Sequence, residues 1–232
     1  MKNNLSIYTF TLVVMFIMLN NSCTNDDSSN TPNTVNTVKD IDGNVYHTVT
    51  IGTQVWMVEN LKVSKYRNGD PIPNITDTTE WYKLSTGAYC YYENNASYSS
   101  TYGKLYNWYA VKDSRNLAPE GWRVATDADW TILTDLLGII GYAGDKLKEK
   151  GIVHWNDPNT GATNETGFTA LPGGERTSSG TFEFIGKTGF WWTSTENNTY
   201  YSYYRSMFNL YNYVNRVYIP INYGLSVRCI KE

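Results

Sequence analysis

The second half of the chain sets the strongest limit on its fold. From Gly167 onward, short apolar and aromatic runs alternate with turn-forming stretches: Phe168-Thr169-Ala170-Leu171, Phe190-Trp191-Trp192-Thr193-Ser194, Tyr203 to Leu210, Tyr213 to Ile219 and Leu225 to Ile230. Each run reads as a strand. The first half opens the same way. Val38 to Leu61 reads as hairpin strands, with a tight turn at Asp42-Gly43-Asn44, alternation through Tyr46, Thr48 and Thr50, and a second turn at Ile51-Gly52-Thr53-Gln54. Val55-Trp56-Met57-Val58 continues as a more apolar strand, and Ala88 to Tyr92 is a short strand carrying Cys90. Between them Lys62 to Thr86, with Asn68-Gly69-Asp70, Pro71 and Pro73, keeps no period and reads as irregular loop.

Helical signals are confined to the middle. Leu105 to Val111 is expected to be a short helix with Leu105, Trp108, Tyr109 and Val111 inward. Thr126-Asp127-Ala128-Asp129 is a capping box with acids where the helix dipole favours them. Trp130, Leu133, Leu136 and Leu137 then recur on one face, and Gly138 or Gly141 ends the helix. Ala143 to Lys150 adds a helical turn or two. Strands, two short helices and a long β-rich half make an α+β fold with an antiparallel β-sheet and long loops.

The first 37 residues do not belong to that fold. Lys2 precedes an almost wholly apolar run from Leu5 to Leu19, the pattern of a secretory signal peptide. At roughly 15 residues the run is short of the about 20 needed to span a bilayer. Asn20-Asn21-Ser22-Cys23 resembles a lipobox, with Asn20 where an aliphatic residue is usual. The expected organisation is therefore a lipoprotein signal peptide at 1–22, lipidation at Cys23, a flexible tether over 23–37 and one domain over 38–232. Thr24 to Thr37 is mainly Asn, Ser, Thr and Asp, too polar to offset the entropy of ordering. Asp26-Asp27 resembles the acidic signal that directs lipoproteins of Bacteroidetes-type bacteria to the cell surface. The expected location is the outer membrane, lipid-anchored, at the cell surface, with the periplasmic face as the alternative. Several acyl chains on an N-terminal cysteine satisfy the need for more than one lipid in stable anchoring.

A net charge of −3 argues against a nucleic-acid partner, since that binding depends on Lys and Arg neutralising phosphates. With Cys23 taken by lipid, Cys90 and Cys229 remain, either as one disulfide or as two separate buried thiols. Two histidines, His47 and His154, give no thiol a partner and make a zinc site poor.

The stretches read above together resemble the Fibrobacter succinogenes major paralogous domain (FISUMP) family. The matching residues are Asp42-Gly43-Asn44 with Tyr46, Ile51-Gly52 with Gln54 and Trp56-Met57, and Glu59-Asn60-Leu61. They continue through Tyr102-Gly103 with Leu105-Tyr106-Asn107-Trp108, Pro119 with Gly121-Trp122-Arg123-Val124, Thr166-Gly167-Phe168 with Ala170 to Gly174, and Ser226-Val227-Arg228-Cys229. Gly121 to Trp130 is also similar to the segment leading into a helix in sulfatase-modifying-factor proteins. The resemblance implies a C-type-lectin-like fold and a surface-lipoprotein setting, and it implies no activity. The oxidase chemistry of sulfatase-modifying enzymes needs a late cysteine pair, and this chain has only Cys229 there.

Candidate sites follow. Trp155-Asn156-Asp157 spells a tripeptide of calcium-dependent lectins. It lies mid-chain, without the usual Pro-containing partner, and reads as a surface turn. Asp40, Asp42 and Asn44 alternate like a calcium loop but lack a downstream bidentate acid, so a hairpin turn explains them with fewer assumptions. Asp77-Thr78-Thr79, similar to a short O-glycan acceptor motif, reads as polar loop. No metal, cofactor or catalytic residue is expected. The aromatic-rich half remains, with Trp191, Trp192, Tyr201, Tyr203, Tyr211 and Tyr213 beside Asn209 and Asn212 as the candidate ligand-binding group. Exposed aromatics beside amides suit sugar rings, and in a strand alternate members face opposite sides. The expected function is a non-enzymatic binding module for glycan. The alternative is a protein-interaction or structural role, as an accessory subunit of an outer-membrane assembly or an adhesin.

Overall fold

A computed structural model describes residues 36–138 and 141–232. The segments expected to be a signal peptide and a tether, with Cys23, lie outside the described residues up to residue 35. The domain begins with β1 (Thr37–Lys39), one residue earlier than the sequence suggests, followed by β2 (Val45–Ile51) and β3 (Gln54–Met57). Asp40 ties the first turn: its Oδ1 accepts from the Asp42 and Asn44 amides at 3.0 and 2.9 Å. Its Oδ2 accepts from Asn44 Nδ2 and the Tyr46 hydroxyl at 2.8 and 2.6 Å. Asp42 in turn accepts from the Ser64 hydroxyl at 2.6 Å. The Asp40 carboxylate thus closes the hairpin turn, and the Asp42 carboxylate ties that turn to the loop after β3.

The chain then forms α1 (Thr78–Tyr82), β4 (Tyr89–Cys90), α2 (Ser99–Tyr102), β5 (Leu105–Tyr106), α3 (Trp108–Val111) and β6 (Trp122–Val124). Two expectations are corrected here. The stretch from Lys62 to Thr86 contains a short helix, begun by Asp77, whose Oδ1 accepts from the Glu80 amide at 2.8 Å. Leu105 is not helical but pairs with Cys90. The helix starts only after Asn107, whose Oδ1 accepts from both the Ala110 and Ala88 amides.

The capping box behaves as expected. Thr126 caps α4 (Asp127–Leu136), with Thr126 Oγ1 accepting from the Asp129 amide and the Asp129 carboxylate from the Thr126 amide. Trp130, Leu133 and Leu137 are buried, while Leu136 is 56 % exposed and lies across the turn at Gly52. After α5 (Ala143–Leu147) come β7 (Glu175–Arg176), β8 (Phe182–Glu183), β9 (Thr188–Asn198), β10 (Tyr201–Phe208), β11 (Asn215–Pro220), β12 (Ser226–Val227) and β13 (Cys229–Lys231). Phe168 to Leu171, expected to be a strand, contributes only an isolated bridge from Ala170 to Lys148.

Two main sheets result, one ordered β1-β2-β3-β13-β6 and the other β11-β10-β9-β12. All their pairings are antiparallel except β12 with β9. The α+β antiparallel class is therefore as expected. The last strands cross from one sheet to the other at Arg228, the single residue between β12 and β13. Its guanidinium is fully enclosed and donates to the Met57 and Phe168 carbonyls at 3.0 and 2.8 Å. It also donates twice to Asn60 Oδ1, at 2.9 and 3.2 Å, and packs 4.3 Å from the Phe168 ring centre. One side chain thus ties the strand crossing to β3 and to the loops after β3 and α5.

Cys90 and Cys229 are both buried free thiols in different apolar clusters, which settles the earlier alternative in favour of separate thiols. Burial pushes both thiols up to about 12.

Candidate functional site

The site begins with the alternation of β9. Trp191 and Trp192 are neighbours in one strand, so their rings leave it on opposite sides. Both sides are covered. Trp191 packs with Trp130 of α4, and Trp192 joins the cluster around Trp108 and Val227. Each is 0 % exposed, with its indole N–H donating at 2.8 Å, Trp191 to Asn60 Oδ1 and Trp192 to the Tyr106 carbonyl. Neither offers a platform to a ligand, and both leave the candidate group.

Asn209 leaves it as well. Its side chain is buried and donates to the Asn156 and Asp157 carbonyls at 3.3 and 3.2 Å. The tripeptide Trp155-Asn156-Asp157 is thereby held as a turn, with Trp155 buried and its indole donating to the Ala170 carbonyl. Tyr211 and Tyr213 stack on each other at 5.2 Å and 18° in the turn between β10 and β11. Beneath that turn Lys148 Nζ donates to the carbonyls of Thr160, Phe208 and Tyr211. The Gly144 amide donates to the Asn212 carbonyl at 3.0 Å, an approach only glycine permits: a Cβ at residue 144 would lie 2.9 Å from the Asn212 and Tyr213 carbonyl oxygens.

Tyr201 and Tyr203 have a different setting. Antiparallel pairing of β10 and β11 sets Tyr203 opposite Tyr218 and Arg205 opposite Arg216. Cross-strand partners share a face, as do residues two apart, so Tyr201, Tyr203 and Arg205 lie beside Tyr218 and Arg216. The Tyr218 ring meets Tyr201 at 5.8 Å and 81° and Tyr203 at 6.3 Å and 88°. Tyr218 is 54 % exposed and Tyr201 37 %. The guanidinium of Arg216 lies 4.1 Å from the Tyr203 ring centre, where cation–π attraction holds it.

The same face runs on into a cleft. Asp127, Thr131, Thr134 and Asp135 of α4 form one wall, and Arg205, Val214, Asn215 and Arg216 the other. Its volume, about 590 Å³, lies within the range of small-ligand sites, about 300–1,000 Å³. The Asp127 carboxylate serves two guanidinium groups. Arg205 Nη2 donates to Oδ1 at 2.7 Å, and Arg216 Nε to Oδ2 at 2.8 Å. Arg205 Nη2 also donates to the Asp127 carbonyl and the Thr131 hydroxyl, both at 2.9 Å. Burial lowers the Arg205 pKa, whereas the bond to Asp127 raises that of the more exposed Arg216. Arg205 Nε is buried with no hydrogen-bond partner.

A smaller hollow of about 250 Å³ lies between Asp40, Arg67 and Pro119. Of its two cations Arg67 is committed, donating to the carbonyls of Ala118, Pro119 and Trp122, and no aromatic side chain joins the exposed Lys39 in its lining. The aromatic face with its adjoining cleft is thus the better candidate.

From the sequence alone Tyr201 and Tyr203 are found, while Tyr218, Arg205, Arg216, Asp127 and Asp135 are missed. The usable signal was alternation in Asn215 to Pro220, where Arg216 and Tyr218 stand two apart. It acquires meaning only with the register across the Leu210 to Val214 turn.

Among the described residues no helix is long and apolar enough to cross a membrane. No curated protein and no solved structure matches the chain. A family model described as the Fibrobacter succinogenes major domain matches residues 49–231. That span takes in the end of β2, all of β3, the capped helix, both walls of the candidate site and the Arg228 crossing, and the chain belongs to the Fibrobacter succinogenes major domain family.

Proposed function

We propose that the chain is an exported lipoprotein, anchored through Cys23 at the outer face of the outer membrane. Its folded part is a non-catalytic, C-type-lectin-like module that binds glycan. The observation carrying the glycan reading is the exposed Tyr201 and Tyr218 with the half-buried Tyr203 beside a cleft lined by guanidinium, carboxylate and hydroxyl groups. Aromatic rings pack against the C–H faces of sugars, and planar polar groups beside them accept and donate to hydroxyls. Small apolar ligands would leave those polar groups unpaired, which disfavours them.

A glycan array probed with the purified protein tests this reading. Binding to at least one glycan class is expected, with Tyr218→Ala and Tyr201→Ala each weakening it about tenfold, roughly 1.4 kcal/mol. An empty array, or a signal indifferent to both substitutions, would remove the glycan reading. For the anchor, metabolic labelling with palmitate should mark the wild-type chain and fail with Cys23→Ser.

A protein-binding role is the second reading. It is favoured by Ile152 and Val153, which are 61 % and 82 % exposed beside His154. Co-purification of one stoichiometric partner, lost in Val153→Asp, would support that role over glycan binding.

A further inference from the structure

We propose that the cleft between α4, β10 and β11 takes an acidic sugar. The carboxylate of a uronic-acid unit would meet Arg205 and Arg216, and its ring would meet Tyr203 and Tyr218. The proposal rests on the glycan reading above and narrows it to one ligand class.

Three observations point the same way. First, two guanidinium groups converge on a single carboxylate, Asp127, so that end of the cleft carries more positive than negative charge. The other acid of the cleft, Asp135, stands about two helical turns further along α4 and still attracts Arg205, so the cleft as a whole sets two carboxylates against two arginines. Second, Arg205 is 3 % exposed, yet its Nε has no partner. A buried donor left unmade costs about 1–3 kcal/mol. An anionic oxygen entering the cleft would offset that cost. Third, Arg216 stays half exposed while its guanidinium lies 4.1 Å from the Tyr203 ring centre. Its Nε–Nη2 edge is taken by Asp127, which leaves the Nη1–Nη2 edge for two parallel bonds to a ligand carboxylate.

The remaining groups select a sugar over a simple anion. Asp135, Asn215 and Thr134 also line the cleft and can bind hydroxyl groups of the same ring. Tyr218, two residues from Arg216 on the same face of β11, is exposed beside the cleft. A bare phosphate or short fatty acid would use the arginines and leave these groups unused.

The test is isothermal titration calorimetry of the purified protein with hexagalacturonate and, in parallel, with neutral cellohexaose. Binding of the acidic oligosaccharide at least tenfold tighter than the neutral one is expected, weakening as salt is raised. Arg216→Gln should remove most of that preference, and Arg216→Lys should recover only part of it, because a lysine keeps the charge without the fork. Arg216 lies at the surface, and circular dichroism checks that the variants keep the fold. Equal affinity for both oligosaccharides, unchanged by Arg216→Gln, would overturn the acidic-sugar proposal and leave the glycan reading standing. No binding to either, joined to an empty glycan array, would overturn both.

Discussion

Arg228→Leu is expected to lower the stability of the domain by about 3–5 kcal/mol, at about 1–3 kcal/mol for each buried acceptor left without its donor. Leucine can still pack against Phe168, but it cannot donate. The carbonyls of Met57 and Phe168 would lose the guanidinium at a site closed to water, and Asn60 Oδ1 would keep only the Trp191 indole. Hydrophobic replacement of a buried ion can be neutral when both members of a pair go together. Here the partners are backbone and amide oxygens that remain. In a domain of this size each kcal/mol moves the melting temperature by about 2–4 °C, so a fall on the order of 10 °C should appear in thermal denaturation. A shift of less than about 3 °C would mean that the strand crossing is held by its apolar neighbours instead.

The second large effect concerns pH. Glu175, on β7, is 6 % exposed, and its Oε2 has no partner. It pairs in register with Glu183 on β8. Burial, reinforced by the Glu183 charge, pushes its carboxyl from an ordinary 4.5 up to about 7. The folded state therefore holds a proton that the unfolded state has released. Stability is then highest below pH 4.5 with respect to this group, falls between pH 4.5 and about 7, and stays low above that. The loss amounts to roughly 3 kcal/mol at about 1.4 kcal/mol per unit. Glu175→Gln cannot ionise, so it should flatten this part of the profile and stabilise the protein by about 2–3 kcal/mol at pH 8. Urea denaturation of both proteins at several pH values reads the difference directly. Parallel profiles across that window would show that Glu175 is ionised in the native state at neutral pH.

How much of this was legible in the sequence depended on how local the cause was. The Thr126 box and the Asp42-Gly43-Asn44 turn are closed by residues within four positions of one another, and both form as read. Leu105 needed a partner strand to show that it is not helical, because its pairing with Cys90 outweighs the apolar spacing that suggested a helix. Phe168 to Leu171 has strand composition, yet Thr169 adopts a positive φ of 52°. The Phe168 and Ala170 carbonyls go to Arg228 and Trp155, with the Lys148 bridge the segment's only strand-like pairing.

The candidate site follows the same rule. Tyr201 and Tyr203 could be named because aromatic residues are conspicuous. Trp191 and Trp192 were conspicuous for another reason: β9 lies between β10 and β12 and is covered on both sides, so its tryptophans build the interior. Arg205, Arg216 and Tyr218, which complete the candidate face and its cleft, come together only through cross-strand register. Asp127 reads in the sequence as a helix-start acid. In the fold it is also the common anchor of two arginines from the sheet.

Hydrogen–deuterium exchange of the protein, with and without an oligosaccharide selected on the array, most directly tests whether this face is the binding site. The expected result is slowed exchange confined to residues 201–205 and 214–219, together with the first turns of α4. Slowed exchange at the Asp40 to Arg67 hollow or the 151–154 loop, with β10 and β11 unchanged, would contradict it.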